Sequence, residues 1–204
     1  MNNDSTPKRL LTAARRVFAE RGYEGGSLRL ITARAKANLG AVTYHFGSKE
    51  RLYYAVLSEF TVPLGQTVVE RASAPEPATK RIAAVIEAYY DQFARFPDFP
   101  ALVIHELALG RKLPPPIKDT LDRVQPALFK LIQDGQAEGS VRAGPPVPII
   151  MSMLSQPFYF AMVRRLVGQV VGPEFEKPEF RAMLIQHAID FVRRGLAPEA
   201  REVA

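Results

Sequence analysis

Three histidines and a glycine cluster are the residues of this chain that could support catalysis, but their spacing does not fit a known catalytic motif. The segment from His105 to Leu109 begins like the zinc-binding helix of a metalloprotease, yet Leu109 stands where the second histidine ligand would be. The glycines from Gly22 to Gly26 are followed by Ser27 and lack the lysine of a phosphate-binding loop. There is no cysteine, which excludes disulfides, thiolate metal sites and cysteine nucleophiles. We therefore expect no enzyme activity, no metal site and no cofactor.

A second group of residues has types that suit contact with DNA. Gly40, Ala41 and Thr43 are small enough to let a helix approach base edges closely. Tyr44 and His45 add side chains with hydrogen-bonding head groups. The alternative is a small helical subdomain in which these residues only pack, and spacing alone does not decide between the two.

Positive charge is concentrated in the same part of the chain. Residues 1–58 contain ten lysines and arginines against four acidic residues, whereas the remaining residues contain 17 of each. Lys49 is expected in the first turn of a helix, where free backbone N–H groups already favour a phosphate. This distribution favours a module that binds a polyanion, although a solvated basic face would give the same count.

Capping residues predict four helices that position these side chains. Thr6, Ser27, Asn38 and Ser48 can each accept a hydrogen bond at a helix N-terminus. The predicted helices run from Pro7 to Gly22, from Leu28 to Ala35, from Leu39 to about Phe46, and from Lys49 through Phe60. Two short helices that are joined by a turn and packed on a longer first helix form a helix-turn-helix, whose second helix enters the DNA major groove.

Two stretches of this region resemble a known family. The run LGAVTYHFGSKERL at residues 39–52 resembles the recognition helix and the following helix of the tetracycline-repressor (TetR) family, and AARRVFAERGY at residues 13–23 resembles that family's first helix. The matching positions are Phe18, Gly22, Ile31, Tyr44, Phe46, Lys49 and Leu52. The resemblance implies an all-α fold, with a three-helix helix-turn-helix DNA-binding domain at residues 1–50 and a helical ligand-binding and dimerisation domain at residues 51–204.

The resemblance also implies roles for the residues of the DNA-binding surface. Arg29, Tyr44, His45 and Lys49 would hold the phosphate backbone, while Leu39, Ala41 and Thr43 would face base edges, with Asn38 beside them at the start of the recognition helix. Phosphate contacts position a protein and base contacts specify the sequence. The residues therefore do not reveal the operator.

Two positions depart from the family pattern. Thr43 stands where many members have a tyrosine, which leaves open whether Thr43 or Tyr44 reaches a phosphate. Lys36 stands where a glycine commonly makes the turn. We expect either a left-handed backbone at Lys36, at a cost of about 1 kcal/mol, or a slightly wider turn.

Apolar periodicity and proline positions predict further helices in the rest of the chain. Apolar stripes begin at Ile82, Ile117 and Phe180, and a long apolar segment runs from Ile149 to Val171. No run alternates with a period of two residues. We therefore expect the whole chain to be helical.

The long segment from Ile149 to Val171 is apolar on nearly every face and has to be covered. The last helix cannot cover all of it, so a second copy of the chain is the expected partner in a symmetric four-helix interface. The family resemblance implies the same dimer. The residues expected at this interface are Met153, Leu154, Met162, Leu184 and Phe191. The alternative is that they form the core of the single chain.

The middle helices contain many aromatic side chains and few polar ones, a composition typical of a small-molecule site. The family resemblance implies a pocket for an effector, here unknown and largely apolar, whose binding changes the spacing of the DNA-reading modules. The residues expected to line it are Tyr89, Phe93, His105, Phe129, Gln156 and Tyr159. An aromatic stripe is also the usual composition of a plain helical core.

Together these features predict a homodimeric transcriptional regulator that binds double-stranded operator DNA of pseudo-palindromic sequence and acts as a ligand-released repressor. One alternative is a non-specific or architectural DNA-binding protein without an effector, and another is a helical enzyme or carrier that does not bind DNA. The segment Met1–Pro7 is polar, and nowhere do 18 uninterrupted apolar residues occur. We therefore expect no signal peptide, no membrane partner and a cytoplasmic location.

Overall fold

The structure, a computed structural model, describes residues 5–108, 110 and 112–198, and the regular elements among them are all helical. The helices are α1 (Thr6–Gly25), α2 (Leu28–Ala35), α3 (Leu39–Phe46), α4 (Lys49–Ala72), α5 (Ala78–Arg95), α6 (Phe99–Ala108), α7 (Pro115–Ala137), α8 (Pro146–Val171) and α9 (Pro178–Leu196), with a 3₁₀ turn at Gly172–Glu176. These ranges include no strand. The predicted all-helical fold is confirmed.

The helix bounds agree with the sequence prediction at most positions and differ at α4. In α1 the backbone leaves the helical conformation at Gly22 (φ 67°, ψ 178°), where the helix was predicted to end, and one further turn leads to Gly25. Helix α4 continues past Pro63 to Ala72. A proline inside a helix removes one hydrogen bond, but the buried Leu64 continues the apolar stripe of α4 beyond it.

The chain forms two compact units, and each is made from separate stretches of sequence. The first contains the residues up to Pro63 together with Phe96–Thr120, and the second contains Leu64–Arg95 together with the residues from Leu121 onward. The first unit includes α6 because that helix packs against α1. This division differs from the predicted continuous boundary after residue 50.

The core of the first unit is built from one apolar stripe per helix. Phe18 of α1, Ile31 of α2, Val42 of α3 and Leu52 of α4 are all fully buried. Such burial contributes roughly 1.5–3 kcal/mol for each large side chain. Because Val42 is the buried residue of α3, its packing decides which face of α3 points outward.

In the second unit a buried arginine ties three helices together. Nη1 of Arg81 donates hydrogen bonds to the carbonyl of Ala72, at the end of α4, and to the carboxylate of Asp134 on α7, both at 3.0 Å. The carboxylate of Glu138 lies 3.5 Å from Nη2 of the same guanidinium and accepts a hydrogen bond from the N–H of Ala78, the first residue of α5. Arg81 could not be singled out from the sequence alone, because its partners lie up to 57 positions away.

Candidate nucleic-acid interface

Side-chain caps fix the N-terminal ends of α2, α3 and α4. Ser27, Asn38 and Ser48 each accept a hydrogen bond from the backbone N–H three residues further on, at 3.2, 2.8 and 3.1 Å respectively. These three caps were predicted and are confirmed. The cap predicted for α1 is wrong by one residue, since Ser5 holds the N-cap position and Thr6 is the first helical residue. Asn38 thus has a structural role in α3, and its contact with DNA stays a prediction.

The turn between α2 and α3 is closed by a left-handed residue. Lys36 has φ 50° and ψ 49°, which confirms the first of the two expectations for this position. The turn thereby brings Asn38 into place to cap α3.

One face of α3 is exposed over its whole length. Tyr44 is 85% exposed and Leu39 is 50% exposed, and Thr43 and His45 are also exposed, whereas Ala41 is partly covered. The ring of Tyr44 packs edge-to-face against that of His45, with centroids 4.9 Å apart. A helix whose one buried residue is Val42 presents its exposed side chains to a partner, as a recognition helix requires.

The two predicted phosphate-binding cations at the flanks of α3 have different surroundings. Arg29 is exposed in the first turn of α2. Lys49 is the first residue of α4, as predicted, but its ammonium donates a hydrogen bond to the carbonyl of Glu24 at 3.2 Å and lies 4.6 Å from the centre of the Tyr23 ring. These contacts hold Lys49 against α1. Because an ammonium has three N–H donors, Lys49 keeps donors that can bind a phosphate.

Other cations of the first unit are paired within it. Arg34 of α2 forms an ion pair with Glu20 of α1 at 2.8 Å, and the hydrogen bond from Arg34 holds the pKa of Glu20 below its usual value. Nε of Arg15 lies 3.7 Å from the carboxylate of Asp98, with the guanidinium over the ring of Phe96. Fewer than the ten lysines and arginines of residues 1–58 are therefore available to bind DNA.

Helix α6 contributes a histidine and a glutamate to the interior of the first unit. His105, predicted to line a ligand pocket, lies beside α1, where a Cβ on Gly22 would be 3.5 Å from its Nδ1. Glu106 is buried and accepts a hydrogen bond from the hydroxyl of Tyr53 at 2.6 Å. His105 is partly covered and lies against α1, and its part in a ligand site stays a prediction.

The other predicted ligand-binding residues belong to the second unit, and the structure brings only some of them together. Phe93 is buried, with its ring 6.4 Å from that of Tyr89 and edge-to-face with that of Phe158. Burial raises the pKa of Tyr89 to about 12. Tyr159 is 66% exposed, and its part in a ligand site stays a prediction.

Phe129 and Gln156 complete the predicted ligand-binding set. Both side chains are partly covered. Their part in a ligand site stays a prediction.

The predicted dimer residues divide between the surface and the core. Met162 and Phe191 are 45% and 62% exposed, and Leu154 and Leu184 are partly covered. Met153 is fully buried within its own chain, so its prediction as an interface residue is wrong. Further exposed apolar side chains on the same two helices, which the sequence analysis did not name, are Met151, Leu166, Val170 and Met183.

The N-terminal part of α8 is apolar enough, by length and composition, to be compared with a membrane-spanning helix. By length and composition, Pro146–Arg164 meets the criterion for a membrane-crossing helix, and only 17% of it is buried. A single helix of this kind is weak evidence for a membrane span, because interface and core helices of soluble proteins meet the same criterion.

Comparison with known proteins assigns both parts of the chain to one family. The profile described as bacterial regulatory proteins, tetR family, matches residues 10–56, and the profile described as tetracyclin repressor-like, C-terminal domain, matches residues 79–192. The HTH-type transcriptional repressor NicS of Pseudomonas putida is 26% identical over 95% of this chain and 93% of its own length. The HTH-type transcriptional repressor AcnR of Corynebacterium efficiens is 41% identical over 30% of this chain and 32% of its own.

A solved structure shows the same fold. The crystal structure of a tetR-family regulatory protein from Rhodococcus superposes with a TM-score of 0.74 and 19% identity, covering 96% of this chain and 98% of that chain. The first profile contains the capped pair α2 and α3, and the second spans most of α5 through α9. The relatives are transcriptional regulators rather than enzymes. This chain therefore belongs to the TetR family of bacterial regulatory proteins and is a DNA-binding transcriptional regulator.

Proposed function

We propose that this regulator is a repressor that binds a pseudo-palindromic operator as a homodimer and leaves it when a small effector binds. The observation that carries the proposal is the outward face of α3, where Leu39, Tyr44 and His45 are exposed on a helix whose N-terminus is capped by Asn38. The relative that is similar along nearly the whole chain, NicS, is named a repressor. Such a protein acts in the cytoplasm, where the chromosome is.

The surface of α8 and α9 supports the homodimer. The exposed apolar side chains Met162, Leu166 and Phe191 cost free energy in water, and a second copy presenting the same residues would cover them. A two-fold dimer uses one patch twice. Two recognition helices related by a two-fold axis would read two half-sites whose centres lie about 34 Å apart or a multiple of it.

The aromatic interior of the second unit supports an apolar effector. Tyr89, Phe93 and Phe158 offer apolar surface with one hydroxyl group, the composition expected of a small-molecule site. An effector can release DNA only if it binds the DNA-free form more tightly than the DNA-bound form. A compound that weakens operator binding must therefore bind less tightly to the protein–DNA complex, by the same factor.

A comparison of specific with non-specific DNA tests the proposal. The purified protein is titrated at physiological salt with the DNA upstream of its own gene and with random DNA of the same length. We expect an affinity ratio of about 10³ or more, together with a footprint of two half-sites. Equal affinities would favour the alternative of a non-specific architectural protein, and the absence of salt-dependent binding to either DNA would contradict both.

Two substitutions separate the roles of the predicted DNA-binding residues. We expect Lys49→Ala to weaken binding to operator and random DNA alike and to lower the slope of log affinity against log salt by about 1, because a phosphate contact is lost. We expect Thr43→Ala to change the preference among base sequences with the salt slope unchanged. Thermal melts of both variants control for folding, because Lys49 also contacts Glu24 and Tyr23. The reverse pattern would show that α3 is not the reading helix.

A further inference from the structure

Lys36 adopts a backbone conformation that lysine rarely takes. With φ 50° and ψ 49° it is the one residue other than glycine with a positive φ among those that the structure describes. For an L-residue this region is disfavoured by about five- to thirtyfold, whereas glycine enters it freely. Glycine would be the favourable residue here, so the lysine side chain calls for an explanation.

The neighbouring hydrogen bonds prevent the chain from relaxing out of this conformation. The N–H of Lys36 donates to the carbonyl of Ala33 at 3.2 Å, and the N–H of Ala37 donates to the carbonyl of Thr32 at 2.9 Å. This pair of bonds is the Schellman arrangement, which places a left-handed residue immediately after the helix end. Asn38 then caps α3. The left-handed residue is therefore required for the turn.

Lys36 lies beside the same surface groove as residues of the recognition helix. It lines a surface cleft of about 640 Å³ together with Thr6, Arg9, Tyr44 and His45. The described residues that line this cleft include no carboxylate. A cleft with cations and hydroxyl groups and without acidic neighbours has the chemistry of a phosphate site.

The two cations of this cleft differ in what they already bind. Nε of Arg9 donates to the carbonyl of Ala35 at 3.2 Å, so the guanidinium secures the end of α2. The ammonium of Lys36 makes no hydrogen bond or ion pair with any residue in the described ranges. All three of its donors are available to a ligand.

We propose that Lys36 binds a backbone phosphate of the operator from the turn between α2 and α3. The backbone strain at this position is kept because the contact it permits increases DNA affinity. This inference rests on DNA binding through α3 and adds a residue outside the set Arg29, Tyr44, His45 and Lys49. Because a phosphate is the same in every sequence, Lys36 contributes affinity and orientation without base preference.

The test uses the fact that stability and DNA affinity should change in opposite directions. In Lys36→Gly, relief of the strain should raise the folding equilibrium constant by about fivefold, measured by denaturant unfolding of the full chain. The same variant should bind both operator and random DNA about three- to tenfold more weakly at low salt, with a salt slope lower by about 1. General loosening of the fold cannot give this combination, since it would lower both quantities.

Three further variants separate charge from backbone flexibility. Lys36→Asn removes the charge but keeps a residue that tolerates a left-handed backbone, so it should lose DNA affinity as Lys36→Gly does. Lys36→Arg should keep the affinity within about twofold and the salt slope unchanged. Lys80→Ala, a loss of one exposed cation in the second unit, should leave the salt slope as it is.

The outcomes distinguish this inference from the function on which it rests. If the wild type binds its operator and Lys36→Gly binds with the same affinity and salt slope, the inference is overturned and DNA binding through α3 stands. If the wild type binds no DNA in a salt-dependent manner, both are overturned. A more stable Lys36→Gly variant with weaker, less salt-dependent binding supports the inference.

Discussion

Inside the first unit, the hydroxyl of Tyr53 donates a hydrogen bond to a carboxylate oxygen of Glu106 at 2.6 Å, and both side chains are buried. The ring of Tyr53 also packs edge-to-face against Phe18, with centroids 4.9 Å apart. Burial, and next the bond to Glu106, raises the pKa of Tyr53 well above its ordinary value. Removing the donor of a buried carboxylate destabilises the fold by more than the net contribution of the hydrogen bond. The stability of the first unit should therefore depend strongly on this contact.

We expect Tyr53→Phe to lower the free energy of unfolding by about 1–3 kcal/mol, because Glu106 keeps its burial and loses its donor. Tyr54→Phe is the matched control. The hydroxyl of Tyr54 donates to Glu50 at the surface, so its loss should cost less than about 0.5 kcal/mol. Urea unfolding measures the free energy of unfolding of both variants. An equal loss in the two would mean that Glu106 finds another hydrogen-bond donor.

The same pair predicts how stability depends on alkaline pH. The unfolded chain releases the proton of Tyr53 near pH 10, whereas the folded chain retains it. The contribution of Tyr53 is therefore fully present below about pH 10 and is lost as the pH rises further. Tyr89 behaves in the same sense up to about pH 12. The decline in stability above pH 10 should be shallower in Tyr53→Phe than in the wild type.

Residues that act within a few positions of sequence could be predicted, and those with distant partners could not. The caps of Ser27 and Asn38 follow from residues three positions away. The partners of Lys49 and Tyr53 lie 25 and 53 positions away, and only the folded packing brings them together. The outward face of α3 was predicted from its own residue types, since Gly40, Ala41 and Thr43 are small and suit contact with a partner.

At the scale of elements, the close approach of α1 to the start of α2 depends on Gly26. A Cβ built on Gly26 would lie 2.5 Å from the ring of Phe18, closer than two non-bonded carbon atoms can approach. Phe18 is fully buried, so its ring has little room to move. A glycine at this position lets α1 pack its largest core side chain directly under the backbone that leads into α2.

We expect Gly26→Ala to lower the free energy of unfolding by about 1–3 kcal/mol, because the added methyl group forces the ring of Phe18 out of its position. The matched control is Gly195→Ala in α9, where a Cβ would meet no atom within 4 Å. Alanine is the better helix former, so this variant should gain roughly 0.5–1 kcal/mol. Thermal or urea unfolding measures both changes in the free energy of unfolding. A decrease for Gly26→Ala and an increase for Gly195→Ala support the close approach, and changes of the same sign contradict it.

The bounds of the helices were predictable where glycine, proline and caps coincide with the end of an apolar stripe. Helix α3 begins at Leu39 and ends at Phe46, as predicted. Helix α4 was expected through Phe60 and continues past Pro63. Proline is a local signal against a helix, and the apolar packing of residues beyond it overrides that signal.

At the scale of the whole molecule, α8 carries an apolar face that the single chain leaves exposed. Its exposed residues include Tyr159, Met162 and Val170, the last of them 80% exposed. The sequence predicted that α8 needs cover on all sides, but it placed Met153 at the interface, because periodicity does not tell which side of an all-round apolar helix its own chain covers. The face that remains is the proposed dimer surface.

We expect Phe191→Glu and Met162→Glu to shift the protein from dimer to monomer, raising the dimer dissociation constant by about 100-fold, because each dimer would bury two added carboxylates. Leu121→Glu is the control, since Leu121 is 49% exposed on α7, outside the proposed surface. Sedimentation velocity gives the mass of each variant. Unchanged mass in both α8 and α9 variants would place the interface elsewhere.

If the proposed dimer covers the bare face of α8, the lifetime of this regulator should depend on its own abundance. Association that covers such a face contributes to folding by mass action, so the melting temperature of a self-associating chain rises with its concentration. Before they associate, newly made copies would expose apolar side chains such as Val170 to proteases and chaperones. We therefore expect a cell that makes few copies to lose a larger share of them to degradation, so that the amount of working regulator falls more steeply than its rate of synthesis.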